Sequence, residues 1–576
     1  MISYFLGYFS VFFVTTILGL LYNFKSKNLL LKLTSAIIFS IYFTYLFSIL
    51  IFFLKISNVY VILLSFLFLF YILLKKDYEK VYQKSLYFTL FLIFLFILYI
   101  FYFILFKKFI PILYGWDVYA SWFRWAQELS QNIYKPYNQF YTIIIPSLWS
   151  INLKFIFSDY FSYFSRLTLF IFPLLILIPS FLFLYYQKFI TFLIYLLFTL
   201  IFYFNNSDLH FSSHTGMMDG LLMIFTLFSI SIFYLLKDLK NFNKYIILSS
   251  ASFAILSLIK QQGILILIAY NCVLIYFFFT KQINYFKFIK NIFISNFLII
   301  IFILIFVTSK KYPNSDDINS FFPVGPSFKY AFLFLKDKYF YLCLFTSIVS
   351  FIFSKKYKVE LMIFFLVFMS IFILTYICCS YDKRNFMWFS AISFVNITPF
   401  LFFLDETFNK KVQQKIISLV NIKKIYIFFI LTFSIVMALV HKPDYLEFVD
   451  HKFKKFFFGD AEGGNSSYSL VKKNYQILKD KVVISKETRF AWTQFAEISK
   501  YAKTFSDYIQ ISKNYAGTAE VYVLDNIDNS FFFDKKKIAD NSIIKIYGRD
   551  ETEVFELLLI DSFENYNLYL SRTNFK

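Results

Sequence analysis

Glycine and proline are scarce in this chain, 12 and 10 in 576 residues, and there are only 4 cysteines and 4 histidines. Cys272, Cys343, Cys378 and Cys379 stand inside apolar runs or at their ends, without ligand-like spacing. They read as small core residues and not as a disulfide framework or a zinc site. The polar C-terminal part has no glycine-rich phosphate loop and no Cys/His cluster, so the usual signatures of nucleotide or zinc chemistry are missing there. Acidic residues are outnumbered by basic ones, 35 to 57, and charged residues make up 16% of the chain, well below the globular share.

The abundant residues are apolar and aromatic: 59% of the chain is hydrophobic and 24% is Phe, Trp or Tyr. This composition describes a polytopic membrane protein. The excess of Phe, Ile, Tyr, Lys and Asn over Ala, Gly, Val and Arg matches a strongly AT-biased genome, so a single Phe carries little functional information. A net charge of +22 on a soluble face would suggest nucleic acid. Here the lysines cluster in short breaks between apolar runs, which is a membrane-topology pattern, and no nucleic-acid partner is expected.

Runs of spanning length fall at 3–22, 33–54, 56–74, 86–106, 166–186, 189–204, 217–236, 245–259, 264–279, 289–308, 339–354, 359–379, 386–404 and 425–440, about fourteen in all. The first has no basic flank before it and no small-residue cleavage site after it, and is expected to be a retained helix. Lysines gather in every second break: Lys25 to Lys32, Lys75 to Lys84, Lys237 to Lys244, Lys281 to Lys290, Lys355 to Lys358 and Lys410 to Lys424. Cytoplasmic loops attract Lys and Arg, so these breaks are assigned inside. The expectation is a multi-pass protein of the cytoplasmic (inner) membrane with the N-terminus and everything after about residue 441 extracytoplasmic. Two domains follow: an all-α transmembrane part over 1–440, with an outer loop over 109–165, and a small soluble α/β or α+β domain over 441–576. In the second, 481–485, 520–524, 543–547 and 555–560 read as strands, 469–478 and 489–502 as helices, and 459–467 as a linker.

Four polar groups remain on the outer side. The first lies in Tyr114 to Glu128, where helical spacing puts Asp117, Ser121, Arg124 and Glu128 on one face and Trp116, Tyr119, Phe123 and Ala126 on another. Such a helix suits the membrane interface. Asp117 is either its cap, with the polar face solvated, or a catalytic carboxylate. The second is the segment from Asn205 to Gly220. Asp219 there is either a carboxylate favoured by a helix N-terminus or a second acidic site, and His210 and His214 are either loop polarity or metal ligands with Asp219. The third is Lys260-Gln261-Gln262-Gly263, where Lys260 either snorkels to headgroups or binds a phosphate. The fourth is Tyr381-Asp382-Lys383-Arg384-Asn385, in which the planar fork of Arg384 suits a phosphate and a topological anchor would suit equally. A transferase using a lipid phosphate as leaving group needs no general acid, only one carboxylate for the acceptor and cations for the phosphate.

An outer loop with an Asp soon after an early span, the Asp219-Gly220-Leu221 segment, the Lys-Gln-Gln-Gly break, the late Arg and the C-terminal outer domain together resemble the GT-C membrane glycosyltransferases. The nearest branch is the bacterial one similar to protein O-mannosyltransferases and lipid A aminoarabinose transferases, and the likeness covers the layout of residues 86–404. The resemblance implies inverting sugar transfer from a polyprenyl-phosphate-linked donor to a lipid, glycan or protein acceptor on the outer face of the membrane. It implies Asp117 as catalytic carboxylate, Asp219 as second acidic site, and Lys260 and Arg384 as donor-phosphate contacts, with Arg124 and His214 on the site face. The chain has a single acid where some members carry an acidic pair, Gln262 where an acid often precedes the glycine, and three added spans before the outer loop. The cofactor is left open: a divalent cation, Mg or Mn, would use Asp117, His214 and Asp219. A surface-polysaccharide polymerase or ligase and a lipid or polysaccharide transporter are the alternative functions.

Overall fold

The computed structural model describes residues 2–22, 26, 28–74, 122–132, 143–155, 164–205 except 166, 218–239, 242–308 except 261, 335, 338–379, 391–407 except 393, positions within 425–432, and segments between 470 and 574. The chain divides into two compact units, Met1–Pro111 with Leu129–Lys442, and Ile112–Glu128 with Pro443–Lys576.

The first unit is helical. Helix α1, Ile2–Phe12, continues through a π turn, Phe13–Ile17, and a 3-10 turn, Leu18–Leu21. A π turn disturbs the hydrogen-bond ladder of its helix, and hydroxyls of the neighbouring α2 (Leu29–Leu54) supply donors there. Ser40 donates to the Phe13 carbonyl (3.1 Å) and Thr44 to that of Val14 (3.2 Å). Gly19 brings the 3-10 turn against α2 so closely that a Cβ would collide with the Ala36 carbonyl, the small-residue contact that lets membrane helices pack. Asn28 caps α2 by accepting from the Leu31 N–H (3.1 Å).

The further helices among the described residues are α3 Asn58–Leu74, α4 Phe123–Ser130, which belongs to the second unit up to Glu128 and to the first from Leu129, α5 Ile144–Phe155, α6 Ile171–Tyr185, α7 Phe189–Asn205, α8 Met218–Asp238 and α9 Phe242–Ser257. They are followed by α10 Gln262–Phe279, α11 Tyr285–Thr308, α12 Lys338–Phe353, α13 Lys358–Cys379 and α14 Thr398–Thr407. Apart from α4 and α5, which fall in the expected outer loop, these helices coincide with the expected apolar runs. Among the described residues, four stretches, Leu29–Leu54, Gly220–Asp238, Gln262–Phe279 and Tyr285–Ile305, are long and apolar enough to cross a membrane. The expected run at 86–106 lies outside the described residues, as does most of 425–440.

Helix α9 is buried from Tyr245 to Ser257 and packs on α2, α8, α10 and α11. Polar side chains join these helices, as expected where lipid removes the hydrophobic drive for helix association. Ser250 of α9 donates to Asn291 Oδ1 of α11 (2.9 Å) and bonds the Tyr270 hydroxyl of α10 (2.9 Å), while Asn271 of α10 donates to Asn296 of α11 (2.9 Å). Several helices end on a left-handed residue without glycine. Lys55, Gln187 and Lys281 have φ of 50°, 64° and 57°, and the next N–H reaches back to the carbonyl of Ile51, Phe183 or Phe277 respectively. This is the Schellman closure, here with an L side chain in the position usually filled by glycine.

The second unit carries a seven-stranded mixed sheet in the order β2-β1-β3-β7-β6-β5-β4. Its strands are β1 Val482–Ser485, β2 Ser499–Tyr501, β3 Val521–Asn526, β4 Lys537–Asp540, β5 Ile543–Tyr547, β6 Val554–Phe563 and β7 Tyr566–Asn574. β1 runs parallel to β2 and β3, with α15 (Phe505–Tyr515) between β2 and β3 in sequence, and the other pairs are antiparallel. Alternation along β1 and β3 builds one core on each face. Val482, Ile484, Val521 and Val523 pack with Tyr508 of α15, whereas Val483, Tyr522 and Leu524 pack with Leu470 and Leu478. The four expected strands are present. The helix expected over 489–502 is corrected at its end, where Ser499–Tyr501 form β2: pairing with β1 in register Val483 to Ser499 overrides the local helical periodicity. The expected linker at 459–467 lies outside the described residues.

Candidate functional site

Asp117, His210, His214 and Arg384 lie outside the described residues, and Arg124 and Asp219 are placed by the backbones of α4 and α8 alone. Lys260 is half-buried in the break between α9 and α10. That break is tight: the Ile259 N–H donates to the Leu256 carbonyl (3.3 Å) and the Gly263 N–H to that of Lys260 (2.9 Å). A Cβ at residue 263 would collide with the Leu256 carbonyl, so the glycine of the Lys-Gln-Gln-Gly stretch is needed for this close approach. Beside it, Gln262 Oε1 is a buried acceptor without a partner among the described residues.

Around the expected catalytic loop, α4 differs from a half-solvated helix. Trp122, Phe123, Trp125 and Ala126 are buried, and so is Glu128, which is 4% exposed; the Trp122 and Trp125 rings meet edge to face at 5.0 Å. At Glu128 this does not fit the alternative in which Asp117 is only a cap and the polar face is solvated: a helix with Trp on successive turns buries more of its circumference than a two-faced helix does. The helix closes on Asn132 in the left-handed conformation (φ 60°). Asn132 in turn accepts from Lys154 of α5 (3.2 Å), whose ammonium also donates to the Ile56 carbonyl between α2 and α3 (3.3 Å). Burial lowers the Lys154 pKa from 10.5 to about 8. Two breaks assigned to the outer side, those near Ile56 and Asn132, are therefore joined by one buried lysine.

A second polar cluster was not singled out from the sequence. Lys188, just before α7, pairs with Asp238 at the end of α8 (2.9 Å) and Glu406 of α14 (3.5 Å), while Lys356 pairs with the other Asp238 oxygen (2.5 Å). Tyr357 donates to Asp238 (2.8 Å), and Lys237 pairs with Glu360 of α13, which is 1% exposed. Asp405 accepts from the Ile190 (2.7 Å) and Thr191 (3.1 Å) N–H groups and the Thr191 hydroxyl (2.6 Å), capping α7. Burial raises the Asp405 carboxyl pKa, against the pull of these hydrogen bonds. The contributing breaks, near residues 188, 238, 356 and 405, are all ones that the lysine alternation assigns inside. The available signal was an acid beside three of these four breaks, Asp238, Glu360 and Asp405 with Glu406, in a chain poor in acids, whereas the break at Lys188 has no acid near it.

The structure brings Asp219 and Lys260 to one end of a helix pair: α8 and α9 pack together and are joined by a short connection after Asp238, so the start of α8 and the end of α9 lie at the same end. No group of three metal-ligating side chains gathers among the described residues. Cys343 is buried as expected, but Cys272 is corrected: it is exposed, on the outward stripe of α10. No protein-family model, curated protein or solved structure matches the chain.

Proposed function

We propose that this protein is an inverting glycosyltransferase that moves a sugar from a polyprenyl-phosphate-linked donor to a cell-envelope lipid, glycan or protein on the outer face of the cytoplasmic membrane. In this reading the acceptor oxygen attacks the anomeric carbon and Asp117 takes its proton. The bond from that carbon to the donor phosphate breaks, and the phosphate leaves with the electron pair while Lys260 and Arg384 hold its charge. Asp219 is the second acidic group, and Arg124 and His214 face the site.

The observation that carries the proposal is the Lys237–Glu360 ion pair, which pins α8 and α13 together at one end. From Lys237 back to Asp219 the helix rises about 27 Å, and from Glu360 forward to Cys379 about 29 Å, at 1.5 Å per residue. Both lengths approximate the hydrocarbon thickness of a bilayer, roughly 30 Å. The pinned pair therefore supports placing Asp219 at the same membrane depth as the end of α13, five residues before Arg384. The test uses a strain lacking the protein, in which a lipid-linked sugar should accumulate. Restoring the wild type should clear it, whereas Asp117→Asn should insert normally and leave it in place. Turnover retained by Asp117→Asn would return Asp117 to a capping role. For Arg384→Ala, loss of donor use is expected, and an effect confined to the acceptor would refute the phosphate assignment.

A further inference from the structure

The α10–α11 hairpin has a surface that the site above does not use. Its residues 262–308 contain no Asp or Glu. On α10, Ile268, Cys272, Ile275 and Phe279 are exposed at helical spacing, and on α11, Phe286, Ile289, Phe293, Ile300 and Ile303 are. These two apolar stripes face lipid by their composition and end at the same turn, where Phe279 and Phe286 are 75% and 82% exposed. Lys281, Lys287 and Lys290 stand at that turn, and none has an acidic partner among the described residues, whereas Lys188, Lys237 and Lys356 are all paired. Lys290 lies within the α11 stripe, between Phe286 and Phe293, where an ammonium escapes hydrocarbon by reaching toward headgroup phosphates. The turn is also braced. Asn284 accepts from the Lys287 N–H (3.0 Å), and the Phe278 ring stacks on Phe288 at 4.7 Å.

We propose that the α10–α11 turn is a binding site for the headgroup of an anionic phospholipid, with Lys281, Lys287 and Lys290 meeting the phosphate and the exposed rings seated among the acyl chains beside it. The charge is complementary, and the site lies where two lipid-facing stripes reach the headgroup layer. This proposal does not depend on the glycosyltransferase reading.

The full-length protein, purified in a neutral detergent, is titrated with phosphatidylglycerol or with phosphatidylcholine of the same acyl chains, and bound lipid is counted by native mass spectrometry. The expected result is preferential retention of phosphatidylglycerol that weakens with added salt and falls on the order of fivefold for each lysine removed. The Lys281→Gln/Lys287→Gln/Lys290→Gln variant should lose the preference, and the corresponding triple Arg variant should keep it. Equal binding of the two lipids, a preference that survives the Gln substitutions, or loss of the preference in the Arg variant would each overturn the proposal. A wild-type dimer that the Gln variant dissociates would overturn it too, since a second copy would then cover this face. If the Gln variant does not fold, the wild-type salt series decides alone: retention of phosphatidylglycerol that is independent of salt refutes a charge-based site.

Discussion

The Lys237–Glu360 pair permits a quantitative test of how α8 and α13 are joined. Both side chains are buried, Glu360 almost completely, and Lys237 also donates to the Lys356 carbonyl (3.4 Å) and sits over the Phe277 and Tyr357 rings at 5.0 and 5.1 Å. Lys237→Met strands a buried carboxylate, a change that costs about 3 to 5 kcal/mol when one partner of a buried pair is removed. Glu360→Gln should cost less, about 2 to 3 kcal/mol, because the ammonium keeps its carbonyl and two aromatic faces. The double variant Lys237→Met/Glu360→Leu leaves no buried charge and should return to within about 1 kcal/mol of the wild type. The assay is equilibrium unfolding in bicelles followed by tryptophan fluorescence, with Trp125 and Trp149 as buried reporters. Costs that simply add in the double variant would show that the two residues are uncoupled and would remove the pinning argument.

Three further outcomes are expected. Reporter fusions after residues 80, 240 and 420 should report cytoplasm and those after 140, 320 and 450 the outside; a reversed or mixed pattern refutes the shared outer site. Lys154, with its pKa lowered from 10.5 to about 8, is held more readily without its proton when folded. Stability should therefore rise as pH climbs from about 8 toward 10.5 and be flat below 8, where both states bind the proton. Lys154→Met should abolish that rise, and an unchanged slope would assign it to another group. Lys55→Gly and Gln187→Gly should each stabilise by about 0.5 to 1 kcal/mol, since both residues hold a left-handed conformation that glycine adopts without strain; lowered unfolding midpoints would mean that their side chains contribute more than the strain they carry.

Much of the helical unit was legible because apolar runs broken by lysines report helices directly, and α2, α8, α10 and α11 fall where hydropathy puts them. The short helix α5 was not legible as a buried element. It carries Ser147, Ser150, Asn152 and Lys154 in an interior position, and those residue types read as loop in isolation. In the sheet, β1, β3, β5 and β6 announce themselves by β-branched and apolar runs, whereas β2, with the sequence Ser-Lys-Tyr, exists only because β1 offers it a parallel edge. Of the candidate site, the tight Lys260 break was legible from Gly263, but the burial of Glu128 was not, because helical spacing sorts residues by face and does not say how many faces are covered.

Lysine counting also treats all lysines alike, and the contacts separate them into three kinds. Lys188, Lys237 and Lys356 neutralise acids drawn from three different helix ends, so their work is to join helices, and charge reversal there should damage folding more than orientation. Lys154, whose pKa burial lowers to about 8, joins the α2–α3 break to the end of α4. Lys281, Lys287 and Lys290 have no acid in their hairpin, residues 262–308. The basic excess of 57 to 35 thus includes lysines in different surroundings: a network that shares Asp238, Glu360 and Glu406, a single buried lysine between two breaks, and a hairpin turn whose residues 262–308 contain no acid.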